Sequence, residues 1–158
     1  MVEASVVHGT FVIERTYPAS LQRVFKAWAE PAAKARWFAG PPDKWKEMLR
    51  EFDFRVGGRE RLTGAWLGGK TSAFDGLYHD IVPDRRIVYS YGMHVDAVRI
   101  SVSLATVEFK PAGAGTRLIF TEQAAFLDGY DDSGSREQGT GTLLDRLGVE
   151  LQRVPTGA

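Results

Sequence analysis

The chain has 158 residues, 44% of them hydrophobic, and its 20 Lys and Arg balance 20 Asp and Glu to a formal charge of zero. This length predicts a single domain over residues 1–158, and the neutral balance argues against nucleic-acid binding, which favours a basic surface. Because the chain has no Cys, disulfides and thiol chemistry are excluded, and we expect a cytoplasmic protein with neither a signal peptide nor a membrane span.

The N-terminal quarter predicts one strand followed by two short helices. The first nine residues are expected to form a loose lead-in to a strand over Thr10–Tyr17, which is rich in β-branched and aromatic residues. Ser20 is a favourable N-cap for a helix over residues 21–28. A second helix is predicted to begin at Glu30-Pro31 and to end before Gly40.

The middle of the chain predicts an antiparallel meander, because short alternating segments are separated by turns rich in Gly, Pro and Asp. The predicted strands are 49–55, 59–66, 72–82, 87–94, 98–110 and 116–123. Consecutive strands joined by short links usually pair with each other, so we expect one sheet with one apolar face.

A polar loop is predicted over residues 124–134, followed by a long amphipathic helix. Ser135 and Gln138 fit the S-x-x-Q capping box, while Gly139 and Gly141 weaken the first turns. The predicted apolar stripe is Leu143, Leu147, Leu151 and Val154, widened by Leu144. We expect this helix to cover the curved sheet and to leave a space that suits an apolar ligand.

Several segments occur in an order typical of one superfamily. They are FVIERTYPASLQRVFKAWAEPAAKARWFAGP, the pair Gly57-Gly58, FDGLYHDIVPDRRIVYSY, GTRLIFTEQAAF and GTLLDRLGVEL. The chain thus resembles the SRPBCC or START-like superfamily, whose fold is that of the birch-pollen allergen, and within it bacterial homologues of the heat-shock protein ATPase activator. The resemblance covers about residues 10–153. It implies an α+β helix-grip fold, in which a curved antiparallel sheet of six to seven strands wraps around a long C-terminal helix.

The superfamily includes lipid carriers, cyclases, receptors and chaperone activators, so the resemblance implies a fold more firmly than a function. The chain departs from the common pattern at three places. Gly139-Thr140 stands where many relatives have Gly-Trp, Arg136 stands where many have His, and Trp37-Phe38 stands where Trp-Trp is common.

Aromatic side chains dominate the predicted inner face of the sheet. Tyr89, Tyr91 and Met93 alternate along one strand, and Phe120 shares a face with Glu122 on another. The candidate ligand-binding residues are Trp37, Phe38, Phe74, Tyr78, Tyr89, Tyr91, Met93, Phe120, Glu122, Phe126 and Leu143, and Trp28 belongs to the same aromatic set. The alternative for each of them is plain core packing.

Glu122 and Tyr91 are the candidates for acid–base catalysis, because a carboxylate in an apolar pocket can exchange protons with a substrate. The alternatives are that Glu122 pairs with an arginine such as Arg59, Arg61 or Arg99, or that it lies at the open end of the sheet in water. The three histidines are His8, His79 and His94. Their spacing matches no metal motif, so we expect neither a metal nor another cofactor.

These observations favour a non-catalytic carrier or sensor that binds a small apolar or lipid-like molecule between the sheet and the last helix. One alternative is a cyclase- or hydrolase-like enzyme that uses the same pocket. Another is a partner-binding module of the chaperone-activator type, and a homodimer is also left open.

Overall fold

The computed structural model describes residues 4–153. These residues form an antiparallel sheet of seven strands and three helices, which confirms the predicted α+β helix-grip class. The elements in chain order are β1 (Val6–Tyr17), α1 (Leu21–Ala29), α2 (Pro31–Trp37), β2 (Trp45–Phe52), β3 (Arg59–Trp66), β4 (Thr71–Val82), β5 (Arg86–Val95), β6 (Val98–Ala112), β7 (Gly115–Leu127) and α3 (Ser133–Leu151). No helix in this described part is long and apolar enough to cross a membrane.

The sheet order is β1-β7-β6-β5-β4-β3-β2. Strands β2 to β7 therefore pair in chain order, as the short links between them predict. The first strand instead pairs with the last, which aligns Phe11 with Glu122 and Ile13 with Phe120. The segment between β1 and β2, which contains α1 and α2, therefore connects the two edges of the sheet.

The first and last strands are each longer than the sequence predicts by four residues or more. β1 begins at Val6 rather than Thr10, because its first residues pair with the end of β7 in the register Val6↔Leu127 to Gly9↔Ala124. The predicted loop over 124–134 therefore shrinks to 128–132. The predicted strand over 49–55 is also displaced, since β2 runs from Trp45 to Phe52.

The last helix starts at a different cap and buries a different stripe from those predicted. Asp132, not Ser135, is the N-cap, and its Oδ1 accepts a hydrogen bond from the Ser135 amide at 2.8 Å. Leu144 and Leu147 are buried, whereas Leu143 and Leu151 are half-buried. Val154 lies outside the described residues.

Glu150 takes the third buried position of α3. Its two carboxylate oxygens accept hydrogen bonds from Arg36 of α2, at 2.7 Å to Nε and 2.8 Å to Nη2. A bidentate pair of this kind fixes the relative orientation of its two side chains. The C-terminal half of α3 is therefore anchored to α2, and the helix also lies along the edge strand β1, where Nε of Arg15 donates to Oδ1 of Asp145 at 2.8 Å.

Candidate functional site

A cavity of about 440 Å³ lies between the sheet, α2, the loop after α2 and the first half of α3. The sheet contributes Trp45, Leu62, Trp66, Ser72, Phe74, Tyr89, Tyr91, Met93, Phe120 and Glu122. The helices and loops contribute Trp28, Trp37, Phe38, Ala39, Gly40, Pro41, Asp131, Ser135, Arg136, Gly139, Thr140, Thr142, Leu143, Leu144 and Arg146. The volume is in the range of small-molecule sites, about 300–1,000 Å³.

Most of the predicted ligand-binding residues line this cavity, and together their side chains form its wall. Trp37, Phe38, Phe74, Tyr89, Tyr91, Met93, Phe120, Glu122 and Leu143 all line it. Two of the set lie elsewhere. Tyr78 is buried but does not line the cavity, and its hydroxyl donates a hydrogen bond to Glu60. Phe126 does not line the cavity either; its ring lies 5.4 Å from the guanidinium of Arg136.

The aromatic rings of the wall form a continuous chain of contacts. Ring centroids are 4.7 Å apart between Trp28 and Trp37, 5.9 Å between Trp37 and Phe38, and 5.0 Å between Phe38 and Phe74. Phe74 then stacks on Tyr91 at 4.7 Å. The chain runs from α1 to the middle of β5, so a planar ligand in the cavity would meet ring surface along its whole length.

Trp45 reaches the wall because two glycines leave room for its ring. A Cβ built on Gly64 of β3 would lie 1.9 Å from Cε2 of Trp45, and one built on Gly40 would lie 2.5 Å from Cγ. The indole Nε1 donates to Oγ of Ser72 at 3.3 Å. Any side chain at Gly64 would therefore displace this part of the wall.

The polar end of the cavity is built around Glu122 of β7, whose side chain is fully buried. Its Oε2 accepts hydrogen bonds from the hydroxyl of Tyr91 at 2.7 Å and from that of Ser103 at 2.8 Å. The sheet register explains this grouping, because Tyr91 of β5 lies opposite Ser103 of β6. Adjacent strands therefore bring both hydroxyls to the same carboxylate.

Arg136 of α3 completes this group, which we call the Glu122 cluster: Tyr91, Ser103, Glu122 and Arg136. Its Nη1 lies 2.9 Å from the Tyr91 hydroxyl oxygen and 3.4 Å from Oε2 of Glu122. Its Nη2 donates to Oγ of Ser101 at 2.7 Å and to Oδ2 of Asp131 at 2.9 Å. The guanidinium is thus held between two carboxylates.

The partner of Glu122 differs from the three arginines proposed from the sequence. Arg59 and Arg61 are exposed and lie near Asp75 and Glu51, and Arg99 is exposed as well. In the sequence, Arg136 stands out only as a departure from the pattern of the relatives. Its position before Gly139 at the start of α3 was the one available signal.

Tyr91 keeps its proton in this setting. Burial, followed by the negative charge of Glu122, raises the pKa of Tyr91 well above its ordinary value of 10.0. At neutral pH the hydroxyl is therefore a hydrogen-bond donor to Glu122 and not a base. Of the two catalytic candidates, Glu122 is the one with an unpaired oxygen, because Oε1 has no hydrogen-bond partner within residues 4–153.

A second buried ion pair, which the sequence does not predict, lies next to the aromatic rings of the cavity wall. Nζ of Lys34 on α2 lies 2.9 Å from Oε1 of Glu60 on β3, and the hydroxyl of Tyr78 donates to the same oxygen at 2.5 Å. The rings of Trp28, Trp37, Phe38 and Phe52 surround the ammonium at 4.6–5.5 Å.

Burial lowers the pKa of Lys34 below 10.5, while the charge of Glu60 acts in the opposite direction. Three of the rings around Lys34 also line the cavity. Cation–π contacts of this kind are attractive, most strongly when the cation is removed from water. The pair therefore fixes α2, and with it the aromatic wall, against the sheet.

The histidines lie apart from the cavity. His8 and His79 are exposed and His94 is half-buried, and Nε2 of His79 is 2.7 Å from Oγ of Ser90. Within the described range 4–153, no three His, Asp or Glu side chains come close enough together to hold a metal ion.

Comparison with protein families identifies one match. The model of the family described as "Activator of Hsp90 ATPase homolog 1-like protein" matches residues 18–152, in agreement with the resemblance noted from the sequence. Among curated proteins, none matches this chain significantly.

Solved structures show the same fold. A protein from Rhizobium loti is 48% identical, with a TM-score of 0.86, over 92% of this chain and 99% of its own. A protein from Rhizobium leguminosarum is 47% identical, with a TM-score of 0.91, over 96% of this chain and 99% of its own. The solution structure of an AHSA1-like protein from Aeromonas hydrophila shares the fold at 21% identity, with a TM-score of 0.70, over 91% and 92%.

Proposed function

The chain belongs to the family of Activator of Hsp90 ATPase homolog 1-like proteins, and from that membership and the cavity we propose that it binds a small apolar or lipid-like molecule. The molecule would lie between the sheet and α3. In this proposal the protein is a non-catalytic carrier or sensor, and the ligand leaves unchanged.

The observation that supports this proposal is the composition of the cavity wall. Phe38, Phe74 and Tyr89 present apolar ring surface, and a hydrogen-bonded group of polar side chains lies around Glu122. An apolar molecule gains about 25 cal/mol for each Å² of apolar surface that it removes from water. A few polar groups at a fixed place then select its orientation.

The hydrogen bonding of the Glu122 cluster favours binding over catalysis. Tyr91 donates its proton to Glu122, and Oε2 of Glu122 is bonded to Tyr91 and Ser103 and paired with Arg136. Neither group is free to exchange a proton through those atoms. A cyclase- or hydrolase-like reaction would have to use Oε1 of Glu122, and it remains the alternative use of the same cavity.

Titration with Nile red, a neutral apolar dye, tests the proposal. The wild type should bind about one dye per chain with increased fluorescence. Leu143→Trp should weaken binding, because Leu143 lines the cavity and the larger ring would fill it. Val149→Trp is the matched control, since Val149 lies on the same helix and is 68% exposed. No saturable binding to the wild type, or equal loss in both variants, would contradict the proposal.

Partner binding is the second candidate function, because the family description names an activator of a chaperone ATPase. The exposed apolar side chains of Val102 and Leu104 on β6 favour it. They alternate with the buried Ser103 and therefore lie on the opposite face of the sheet from the cavity. If this candidate is correct, Leu104→Lys should abolish stimulation of the Hsp90 ATPase without changing dye binding. Leu143→Trp should weaken dye binding without changing stimulation of the ATPase.

A further inference from the structure

Arg146 of α3 is a cation of the cavity wall that has no carboxylate partner. The other charged residues of the wall are Glu122, Asp131 and Arg136. Arg136 pairs with both of these carboxylates, whereas Arg146 forms no ion pair with any Asp or Glu of residues 4–153. The wall therefore contains one positive charge that the described part of the chain does not neutralise.

Its surroundings distinguish Arg146 from other arginines that lack a carboxylate partner. Arg85, Arg99 and Arg153 are exposed to solvent, and the half-buried Arg23 donates to two backbone oxygens at the end of α3. Arg146 is half-buried as well, but it borders the apolar cavity. Because partly buried charges are screened less than exposed ones, an anion in the cavity would be attracted to Arg146 more strongly than to an exposed arginine.

Hydrogen bonding leaves one edge of the Arg146 guanidinium open. Nη1 donates to the backbone oxygen of Ala39, while Nε and Nη2 have no partner within residues 4–153. These two nitrogens are not among the side-chain atoms that are buried without a partner, so they are accessible, unlike Oε1 of Glu122. Their N–H groups are parallel and match the two oxygens of a carboxylate.

Another arginine of the same structure shows what this edge binds. Nε and Nη2 of Arg36 donate to the two carboxylate oxygens of Glu150 at 2.7 and 2.8 Å. Arg36 thus uses the edge that Arg146 leaves open. A carboxylate on a ligand would complete Arg146 with the same planar, two-bond geometry.

The guanidinium of Arg146 is held in place before any ligand binds. Its bond to Ala39 joins α3 to the loop after α2, and the preceding carbonyl oxygen, that of Phe38, accepts from Nη2 of Arg50 at 2.9 Å. Arg50 is itself paired with Glu47. Because Arg146 is already fixed by this loop, it loses less conformational freedom on binding than a free side chain would.

The negative charges of the wall are grouped around the other arginine. Arg136 and Arg146 are ten positions apart on α3, which corresponds to about 15 Å along the helix axis. Glu122 and Asp131 both pair with Arg136. A ligand carboxylate at Arg146 therefore lies away from these two acidic side chains, and its apolar body can pack on rings of the wall such as Phe38.

We propose that the ligand is an apolar monocarboxylate, whose acid group accepts two hydrogen bonds from Nε and Nη2 of Arg146 and whose hydrocarbon body lies along the aromatic wall. The proposal rests on the proposed function, because it names the class of molecule that the same cavity takes. Aromatic and aliphatic acids share this chemistry, so the test includes one of each.

Displacement of Nile red by two matched pairs of compounds tests the proposal. The first pair is 2-naphthoate and 2-acetonaphthone, and the second is decanoate and 2-undecanone, all kept below the concentration at which they form micelles. In each pair a methyl group replaces one carboxylate oxygen, so the two members have nearly the same shape and differ in charge. At neutral pH the wild type should bind the acid more tightly than its ketone, although the ketone is the more apolar. The pair with the larger preference shows whether the body of the ligand is aromatic or aliphatic.

Substitutions of Arg146 separate the two hydrogen bonds from a general attraction of charge. Arg146→Gln should reduce the preference for the acid by about tenfold or more, while the affinity for the ketone stays nearly the same. Arg85→Gln is the matched control, because it removes the same charge from an exposed turn, and it should leave the preference unchanged. Arg146→Lys keeps the charge without the planar pair of donors, so it should retain only part of the preference.

The outcomes distinguish this proposal from the proposed function. If neither Nile red nor any of the four compounds binds, the proposed function fails, and this proposal fails with it. If Nile red and the ketones bind, but the wild type prefers neither acid over its ketone, only this proposal is overturned. An equal loss of preference in Arg146→Gln and Arg85→Gln also overturns it. The wild-type comparison requires no variant, so it decides the matter even if Arg146→Gln fails to fold.

Discussion

Nη1 of Arg136 lies 3.4 Å from Oε2 of Glu122, and the two side chains are only 11% and 0% exposed. This pair joins the first turn of α3 to the middle of β7. The start of the helix is therefore tied to the sheet by a buried charge pair directly at the polar end of the cavity.

Arg136→Met should lower the free energy of unfolding by about 3–5 kcal/mol, because it leaves the carboxylate of Glu122 buried without a cation. Adding Glu122→Gln to that variant should restore part of the loss, since no uncompensated charge then remains. Urea unfolding of the two single variants and the double variant measures the coupling. Strictly additive losses would show that the pair does not act as a unit.

The packing of α3 on the sheet depends on Leu144 and Leu147, which are 1% and 0% exposed. Leu144→Ala or Leu147→Ala should each lower the free energy of unfolding by about 2–5 kcal/mol through the cavity that it creates. Val149→Ala on the exposed face should change it by less than about 0.5 kcal/mol. Equal effects at Leu147 and Val149 would mean that α3 does not cover the sheet in this orientation.

Gly64→Ala should destabilise the protein by about 1–3 kcal/mol, because the new methyl group would collide with the ring of Trp45. Gly139→Ala should have the opposite sign. No heavy atom lies within 4 Å of the new Cβ there, and replacing Gly by Ala inside a helix stabilises by about 0.5–1 kcal/mol. Thermal unfolding of both variants checks the pair, and a gain in stability from Gly64→Ala would refute the close packing of Trp45.

The buried tyrosines predict a loss of stability in alkaline solution. Burial raises the pKa of Tyr17, Tyr78, Tyr89 and Tyr91 above the ordinary value of 10.0. The folded state therefore keeps protons that the unfolded state releases above pH 10.0. The contribution of these groups is fully present below that pH and is lost as the pH rises above it.

Each tyrosine should steepen the decline by up to about 1.4 kcal/mol per pH unit. Tyr89→Phe should make the decline above pH 10.0 shallower by that amount, as measured by urea unfolding at a series of pH values. Tyr130→Phe is the control, because Tyr130 is exposed. An unchanged slope in Tyr89→Phe would contradict the burial of its hydroxyl.

The parts of the fold that the sequence predicts are those that depend on local patterns. Alternation along β5 and β7 placed Tyr89, Tyr91, Phe120 and Glu122 on one face, and the structure has all four buried on that face. Short turns predicted the order β2 to β7. The pairing of β1 with β7 brings together residues 99 to 121 positions apart, and no local pattern specifies such a contact.

The two buried ion pairs were beyond local reasoning for the same reason. Lys34 occupies a position on α2 that charge alone would assign to solvent, and its burial depends on Glu60, 26 residues away. Arg136 is one of 20 cations in a chain with equal numbers of both signs. Composition cannot show which of these cations reaches Glu122, because that depends on how α3 lies over the sheet.

The four tryptophans of the chain, Trp28, Trp37, Trp45 and Trp66, all line the cavity. Their indole N–H signals in a ¹H–¹⁵N correlation spectrum are therefore four reporters on the proposed site. Titration with 2-naphthol should shift these signals with one saturation curve at about one molecule per chain, with Trp37 and Trp45 included although both are buried. Shifts confined to the exposed Trp66, or no saturable shift at all, would contradict the binding of a small molecule between the sheet and α3.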